Sequence, residues 1–178
     1  MASRHRGVVF LDPYSLQVDW ETLRALAATR VLDVWYLFPI RDTIRQLAHD
    51  FEGIGPKDAM LDRVLGPEWR ELYGIAPNHQ PRDLFDQPVE PELKRMVSVP
   101  QFEQWLRHRL EHHAGFAFVG EPLQIMTSRS RQAFSLFCAV SNPSLPAREA
   151  AEKFVRYVKK NFAPGASRQR SARGGSGR

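Results

Sequence analysis

The chain has 178 residues, one cysteine and a formal net charge of +5 at neutral pH. This length supports one domain with a hydrophobic core, and no apolar stretch approaches the roughly 20 residues of a membrane-spanning helix. The composition therefore excludes a membrane-embedded protein, and the single cysteine predicts a protein of the reducing cytoplasm.

The positive charge is concentrated at the two ends of the chain. Residues 163–178 hold four arginines and no acidic residue, residues 1–7 hold two more arginines, and the part between them has almost no net charge. We therefore expect a basic segment at 1–7, a domain at 8–162, and a disordered Gly-, Ser- and Arg-rich tail at 163–178. Such a tail either contacts nucleic-acid phosphates or serves only as a solubilising terminus.

The first apolar run extends from Val8 to Leu11 and ends at Asp12-Pro13-Tyr14. A short, continuously apolar run predicts a strand that is buried on both faces of a parallel sheet. Because proline cannot donate to a strand ladder, Asp12 should lie at the carboxyl end of this strand, where open α/β sheets bind their ligands. There the Asp12 carboxylate could accept a hydrogen bond from an amine while the Tyr14 ring stacks on a flat substrate. Alternatively, Asp12 only caps the turn and Tyr14 only packs.

A helix and a second strand follow this turn. Asp19 is placed to cap a helix whose apolar residues, from Trp20 to Ala27, fall on one face. The run from Val31 to Pro39 is again nearly all apolar and again ends at proline. Strand, helix and strand together predict a βαβ unit.

The middle of the chain is predicted to be a helical insertion at about 52–98. Its apolar spacing indicates short helices, one of which follows the break at Gly66 and Pro67. Its proline-rich part, from Ile75 to Pro91, predicts an excursion over the surface.

The last third of the chain is predicted to form a helix, a hairpin and a final helix. Ser98 and Gln101 make a capping-box pattern for a helix that ends at Gly115. The two strands of the hairpin fall between Phe116 and Ser141, on either side of a short polar stretch. The apolar face of the final helix carries Ala150, Ala151, Phe154, Val155 and Val158.

Few other residues are candidates for metal binding or catalysis. His108 and His112 stand four apart on the predicted helix and could share a metal ion, but the neighbouring Arg107 and Arg109 favour a solvated helix face. Cys138 lies inside an apolar run and is predicted to be a small buried hydrophobic residue. The sequence has no zinc-protease, nucleophile-elbow or phosphate-loop motif, so hydrolysis and phosphoryl transfer have no support.

The order of the elements predicts an α/β fold: the second half of a Rossmann-like sheet of the class I methyltransferase type, with a helical insertion and a C-terminal antiparallel hairpin. Three segments in this order carry a family resemblance: VVFLDPYSLQVDWETLRALAATRVLDVWYLFPI (residues 8–40), LDRVLGPEWRELYG (61–74) and FSLFCAVSNP (134–143). They resemble the three-Cys-motif partner protein family, bacterial and phage proteins with a methyltransferase-like fold. The resemblance covers most of residues 7–162.

The resemblance implies a role for Asp12, Pro13 and Tyr14. These residues fall where amino-group methyltransferases carry Asp/Asn-Pro-Pro-Tyr/Phe, whose polar group and backbone hold the target amine while the ring stacks on the base. This chain has one proline instead of two. In addition, Ser15 stands where the family usually has glycine, and serine is poorer at positive φ.

The resemblance also implies S-adenosylmethionine as cofactor, yet the chain offers no site for it. The family's cofactor site uses a Gly-rich turn and an acidic residue in the first half of the fold, and nothing of that kind precedes Val8. We therefore expect the back half of a larger domain, which does not bind the cofactor alone. A missing N-terminal half or another chain is expected to cover the edge of the strand at 8–11.

Two functions remain open on the sequence. In the first, the chain is the substrate-binding half of an S-adenosylmethionine-dependent methyltransferase that acts on an amino group of nucleic acid. In the second, it is catalytically inactive and serves as a binding or accessory partner of a three-cysteine-motif protein. The absent Gly-rich turn favours the second function for this polypeptide alone.

Overall fold

The computed structural model describes residues 5–75, 92–127 and 131–162. Its main elements are β1 (Gly7–Leu11), α1 (Trp20–Ala28), β2 (Leu32–Phe38), α2 (Ile40–Gln46), α3 (Asp58–Leu65), β3 (Tyr73–Ile75), β4 (Leu93–Arg95), α4 (Val99–His112), β5 (Phe118–Val119), β6 (Leu123–Met126), β7 (Gln132–Val140) and α5 (Leu145–Phe162). Short 3₁₀ turns cover Phe51–Gly53, Gly55–Lys57 and Pro67–Leu72. The predicted tail, most of the basic segment and most of the proline-rich excursion lie outside the described residues.

Five of the described strands form one mixed sheet. Its order is β1, β2, β7 and then β5 and β6, which both pair with β7. β1 and β2 are parallel, with Phe10 opposite Trp35, and α1 connects them as predicted. β7 is antiparallel to β2, β5 and β6, so the predicted C-terminal hairpin is confirmed. The fold is therefore α/β with a mixed sheet.

The first half of that hairpin is two short strands rather than one. Pro122 has no N–H for the ladder, which favours a break at this point. Gly120 also lies close against α5, where an added Cβ would stand 2.8 Å from a methyl carbon of Val155. Gly120 still donates its N–H to Cys138 O at 2.8 Å, and the chain leaves the ladder between Gly120 and Leu123.

The hydrophobic core lies on one face of the sheet. On this face, Phe38 of β2 stacks with Phe102 of α4 at a ring-centroid distance of 5.9 Å, and Phe137 of β7 packs edge-on against Phe38. Helices α1 and α3 and the fully buried Trp69 extend the same cluster. Burying each of these aromatic side chains contributes about 2–3 kcal/mol to folding.

The two predicted helix starts have different outcomes. Ser98 and Gln101 form the predicted capping box, in which Gln101 accepts a hydrogen bond from the Ser98 backbone N–H at 2.8 Å. Asp19 does stand at the N-cap of α1 in an extended conformation, but its side chain makes no capping hydrogen bond. Its carboxylate instead pairs with Arg63 of α3, so tertiary contact replaces local capping.

The insertion at 52–98 is helical up to Leu72, as predicted, and then contains a small sheet that the sequence pattern did not indicate. β3 and β4 pair antiparallel, with Tyr73 opposite Arg95. Arg95 anchors this sheet by donating from Nη1 to the carbonyl oxygens of Ile44 at 2.8 Å and Leu47 at 2.6 Å. These long-range contacts, rather than local spacing, define the small sheet.

β1 is buried on one face only, so the prediction of a strand buried on both faces is wrong. Val9 packs against the core, whereas Val8 and Phe10 are 68% and 59% exposed. On the face of the sheet that carries Val8 and Phe10, α5 packs against β7 and its Phe154 contacts Trp35 of β2. No described residue covers Val8 and Phe10 on this face, and they are therefore exposed. The outer edge of β1 also has no strand partner among residues 5–75, 92–127 and 131–162.

The long helix α5 lies on the outer face of the sheet. It has 18 residues, with Val155 buried and Phe154 and Tyr157 exposed. Neither α5 nor any other described helix combines the length and the apolar character needed to cross a membrane.

Candidate functional site

The carboxyl ends of β1 and β2 lie at the same edge of the sheet, and an open pocket of about 540 Å³ is found there. The pocket is lined by Asp12, Pro13, Tyr14, Ser15, Asp42 and Phe134. The three residues singled out by the sequence thus line one pocket because they follow β1 directly. The sequence missed Asp42, although it stands shortly after the second parallel strand, at the same edge.

The two residues proposed to touch a substrate are available to it. The side chain of Tyr14 is 86% exposed, so its ring is free to stack on a flat group. Asp12 is exposed as well, and its carboxylate can accept hydrogen bonds from a bound molecule. Asp42 is half-buried and lies 3.8 Å from the Nε of its neighbour Arg41. Two carboxylates at one pocket favour amines and oppose phosphates.

The turn after Tyr14 requires an unusual backbone conformation. Ser15 has φ of 62°, in the left-handed region that costs a residue with a Cβ about 1 kcal/mol or more. Serine therefore adopts the conformation for which glycine is better suited. Such strain at a pocket is held by the surrounding structure and is common at binding sites.

We expect Ser15→Gly to stabilise the protein, because glycine reaches this φ without steric cost. The expected gain in the free energy of unfolding is about 0.5 kcal/mol, since part of the relief is offset by the greater freedom of glycine in the unfolded chain. Urea unfolding followed by circular dichroism measures it. Ser15→Ala is the matched control, because it keeps the Cβ and should give no gain. Equal stability changes for the two variants would show that Ser15 is not strained.

Two other groups raised by the sequence lie outside this pocket. Cys138 is buried, and burial raises the pKa of its thiol to about 12, so it stays protonated and is not a nucleophile at neutral pH. His108 and His112 are exposed on α4 with ring centroids 4.4 Å apart, but no group of three or more metal-binding side chains occurs among the described residues.

The prediction that Arg109 belongs to a solvated helix face is wrong. Arg109 is 1% exposed, and its guanidinium lies over the ring of Trp20 at 4.8 Å and near that of Trp105 at 5.7 Å. It also pairs with Glu68. The aromatic rings and the carboxylate together make burial of this cation tolerable.

The described residues do not fit S-adenosylmethionine. In a Rossmann-like site the cofactor needs a Gly-rich turn after a parallel strand. The segments directly after β1 and β2, at 12–15 and 39–42, contain no glycine, and the described glycines with positive φ, Gly55, Gly66 and Gly115, lie elsewhere in the chain. The segments that follow the two described parallel strands therefore lack the Gly-rich element of such a site.

Comparison of the chain with family models, with curated proteins and with solved structures gives no match.

Proposed function

We propose that this chain is the substrate-binding half of a methyltransferase-like fold that takes an amino-bearing base of nucleic acid. A further polypeptide segment completes the sheet along β1 and holds S-adenosylmethionine. The observation that carries the proposal is the pocket in which Asp12 and the exposed Tyr14 follow β1 directly. The outer edge of that same strand is open within the described residues.

The sheet order supports this proposal. A pair of parallel strands followed by an antiparallel hairpin is the arrangement expected for the second half of a methyltransferase-type sheet. The described sheet has the parallel pair β1 and β2, and β7 lies antiparallel between β2 and the short strands β5 and β6. In this arrangement the segment that completes the sheet pairs with the free side of β1, beside the pocket.

The chemistry of the pocket favours a base over a phosphate. The Tyr14 ring offers a stacking surface, and stacking of a base on an aromatic side chain contributes about 1–3 kcal/mol. The carboxylates of Asp12 and Asp42 accept hydrogen bonds from an exocyclic amine and repel the phosphate backbone. The pocket therefore suits a base that has left the stack of its helix or belongs to a single strand.

The test compares adenosine with purine riboside, in which a hydrogen replaces the exocyclic amine. We expect the protein to bind adenosine more tightly than purine riboside in an NMR titration, and Tyr14→Ala to weaken adenosine binding about tenfold through the loss of stacking. Asp12→Ala should remove the preference for adenosine, because the amine is the only group that purine riboside lacks.

The matched control is Tyr157→Ala. Tyr157 is 60% exposed on α5 and does not line the pocket after β1, so its removal should leave adenosine binding unchanged. If Tyr14→Ala and Tyr157→Ala bind adenosine as the unaltered protein does, the pocket is not a base-binding site.

A second candidate function rests on the outer face of the sheet. Val8 and Phe10 are exposed there, Phe10 stands opposite Trp35, and Trp35 contacts the exposed Phe154 at a centroid distance of 5.6 Å. This apolar strip beside an open strand edge suits a protein partner. The accessory function is favoured if Tyr14→Ala leaves nucleoside binding unchanged while Phe10→Lys abolishes capture of a three-cysteine-motif protein.

A further inference from the structure

A second cleft lies at the opposite end of the sheet from β1. It has a volume of about 590 Å³, within the range of small-molecule sites, and runs beside β6 between α4 and α5. Its apolar lining consists of Pro100, Pro122, Leu123, Ile125, Leu136 and Val158. Glu103, Gln104, Glu121, Gln124 and Lys159 supply the polar lining. The cleft thus combines an apolar wall with a few polar groups.

Glu103 is the unusual member of this lining, because it is a carboxylate that is only 3% exposed. Its Oε1 accepts hydrogen bonds from Gln132 Nε2 and Ser135 Oγ, both at 2.6 Å. Its Oε2 accepts only a long contact from Gln124 Nε2 at 3.4 Å. One carboxylate oxygen is therefore fully engaged by neutral donors and the other is nearly free.

No lysine, arginine or histidine among the described residues pairs with Glu103. The two cations of the region contact Glu121 instead, through Arg107 Nη1 and through Lys159 Nζ at 3.8 Å. Burying a carboxylate without a cation is costly. Gln132 and Ser135 thus hold the carboxylate of Glu103, which has no cationic partner among the described residues, at the wall of an apolar cleft.

We propose that this cleft binds a primary ammonium group on an apolar stem, with Glu103 as its counter-ion. A guanidinium prefers both oxygens of a carboxylate, whereas Oε1 of Glu103 is already occupied. An ammonium is a compact charge that one oxygen can receive, and Oε2 makes only the one long contact with Gln124. The stem then packs on Leu123, Ile125 and Val158. Such a group is either a free alkylamine or the side chain of a lysine.

The test is isothermal titration of the full chain with hexylamine and with 1-hexanol, a neutral molecule with the same stem. We expect hexylamine to bind at least tenfold more tightly. Glu103→Gln keeps the size and an acceptor but removes the charge, so it should weaken hexylamine binding at least tenfold and leave hexanol binding unchanged. The control is Glu149→Gln, which removes the same charge from an exposed position of α5 outside the cleft lining and should change hexylamine binding less than twofold.

A second variant tests the proposal independently in case Glu103→Gln does not fold. Ile125 is 39% exposed on β6, so Ile125→Lys is tolerated at this strand edge and places an ammonium in the cleft from the chain itself. It should abolish hexylamine binding.

Tighter binding of Nα-acetyl-lysine methylamide than of hexylamine assigns the site to a lysine of a polypeptide, and the reverse order assigns it to a free amine. Equal binding of hexylamine and hexanol, or undiminished hexylamine binding by both variants, overturns the proposal.

Discussion

We expect the unaltered protein to self-associate at high concentration and Phe10→Lys to keep it monomeric. Gly7 donates its N–H to Val31 O at 3.1 Å, so the backbone groups of Gly7, Val9 and Leu11 face β2. Those of Val8 and Phe10 alternate with them and face outward, where no described strand pairs. An unpaired edge flanked by exposed apolar side chains recruits another strand, and a lysine there prevents it.

Light scattering and sedimentation of the purified protein measure this effect. Met96→Lys is the matched control: Met96 is 44% exposed beyond β4, away from β1, and the charge change is identical, so association should persist. Phe10→Pro should also give a monomer, because it removes an outward N–H, whereas Val9→Pro should lower stability by breaking the ladder with β2. A wild-type protein that stays monomeric at every concentration would show that the β1 edge does not recruit a strand.

Arg109→Ala is expected to lower the free energy of unfolding by about 3 kcal/mol, the typical cost of removing a long buried side chain together with its cation–π contacts. The stem and guanidinium of Arg109 fill the space between Trp20 and Trp105, and its Nη2 reaches Leu65 O at 3.3 Å. Alanine leaves that space empty and removes the contacts of α4 with Trp20 of α1 and with Leu65 at the end of α3. Urea denaturation followed by circular dichroism gives the difference directly.

Arg109→Met separates packing from charge. Methionine keeps the length of the stem, so the expected loss is about 1 kcal/mol, clearly smaller than for alanine. Losses of equal size in the two variants would mean that the charge, rather than the packing, stabilises this contact.

The ion pair between Arg109 and Glu68 also makes the stability of the protein depend on pH in the acid range. The hydrogen bond from Arg109 lowers the pKa of Glu68 below its ordinary value of 4.5. Stability from this pair is therefore present above pH 4.5 and is lost as the pH falls through the lowered pKa. In Arg109→Met the decline of stability below pH 4.5 should be shallower, which denaturation at pH 5 and at lower pH will show.

The burial of Glu103 and Arg109 could not be predicted from the sequence pattern. Both stand on α4 among apolar residues at helical spacing: Glu103 precedes Leu106 by three positions, and Arg109 follows Leu106 by three. The spacing places them on the buried side, but a charged residue in a helix normally indicates solvent. Only the partners, Ser135 and Gln132 for the acid and the tryptophan rings for the base, make burial possible, and these partners come from other elements.

Asp42 was missed for a different reason. It stands in the first turn of α2, where an acidic residue is ordinary because of the helix dipole. Its position at the pocket follows from the parallel pairing of β1 with β2, which brings the residues after both strands to one edge. The sequence signal that could have identified Asp42 is therefore its position just after the second of two neighbouring apolar runs.

By itself the sequence determined the elements whose signals are local. Apolar runs ended by proline placed β1 and β2, helical spacing placed α1, α4 and α5, and the turn at Asp12 placed the candidate site at a strand end. Tertiary structure alone decided which faces are covered: the exposure of Val8 and Phe10, the small sheet of β3 and β4, and the setting of Glu103. An apolar run reports that a segment can be buried, whereas burial itself depends on whether another part of the fold lies against it.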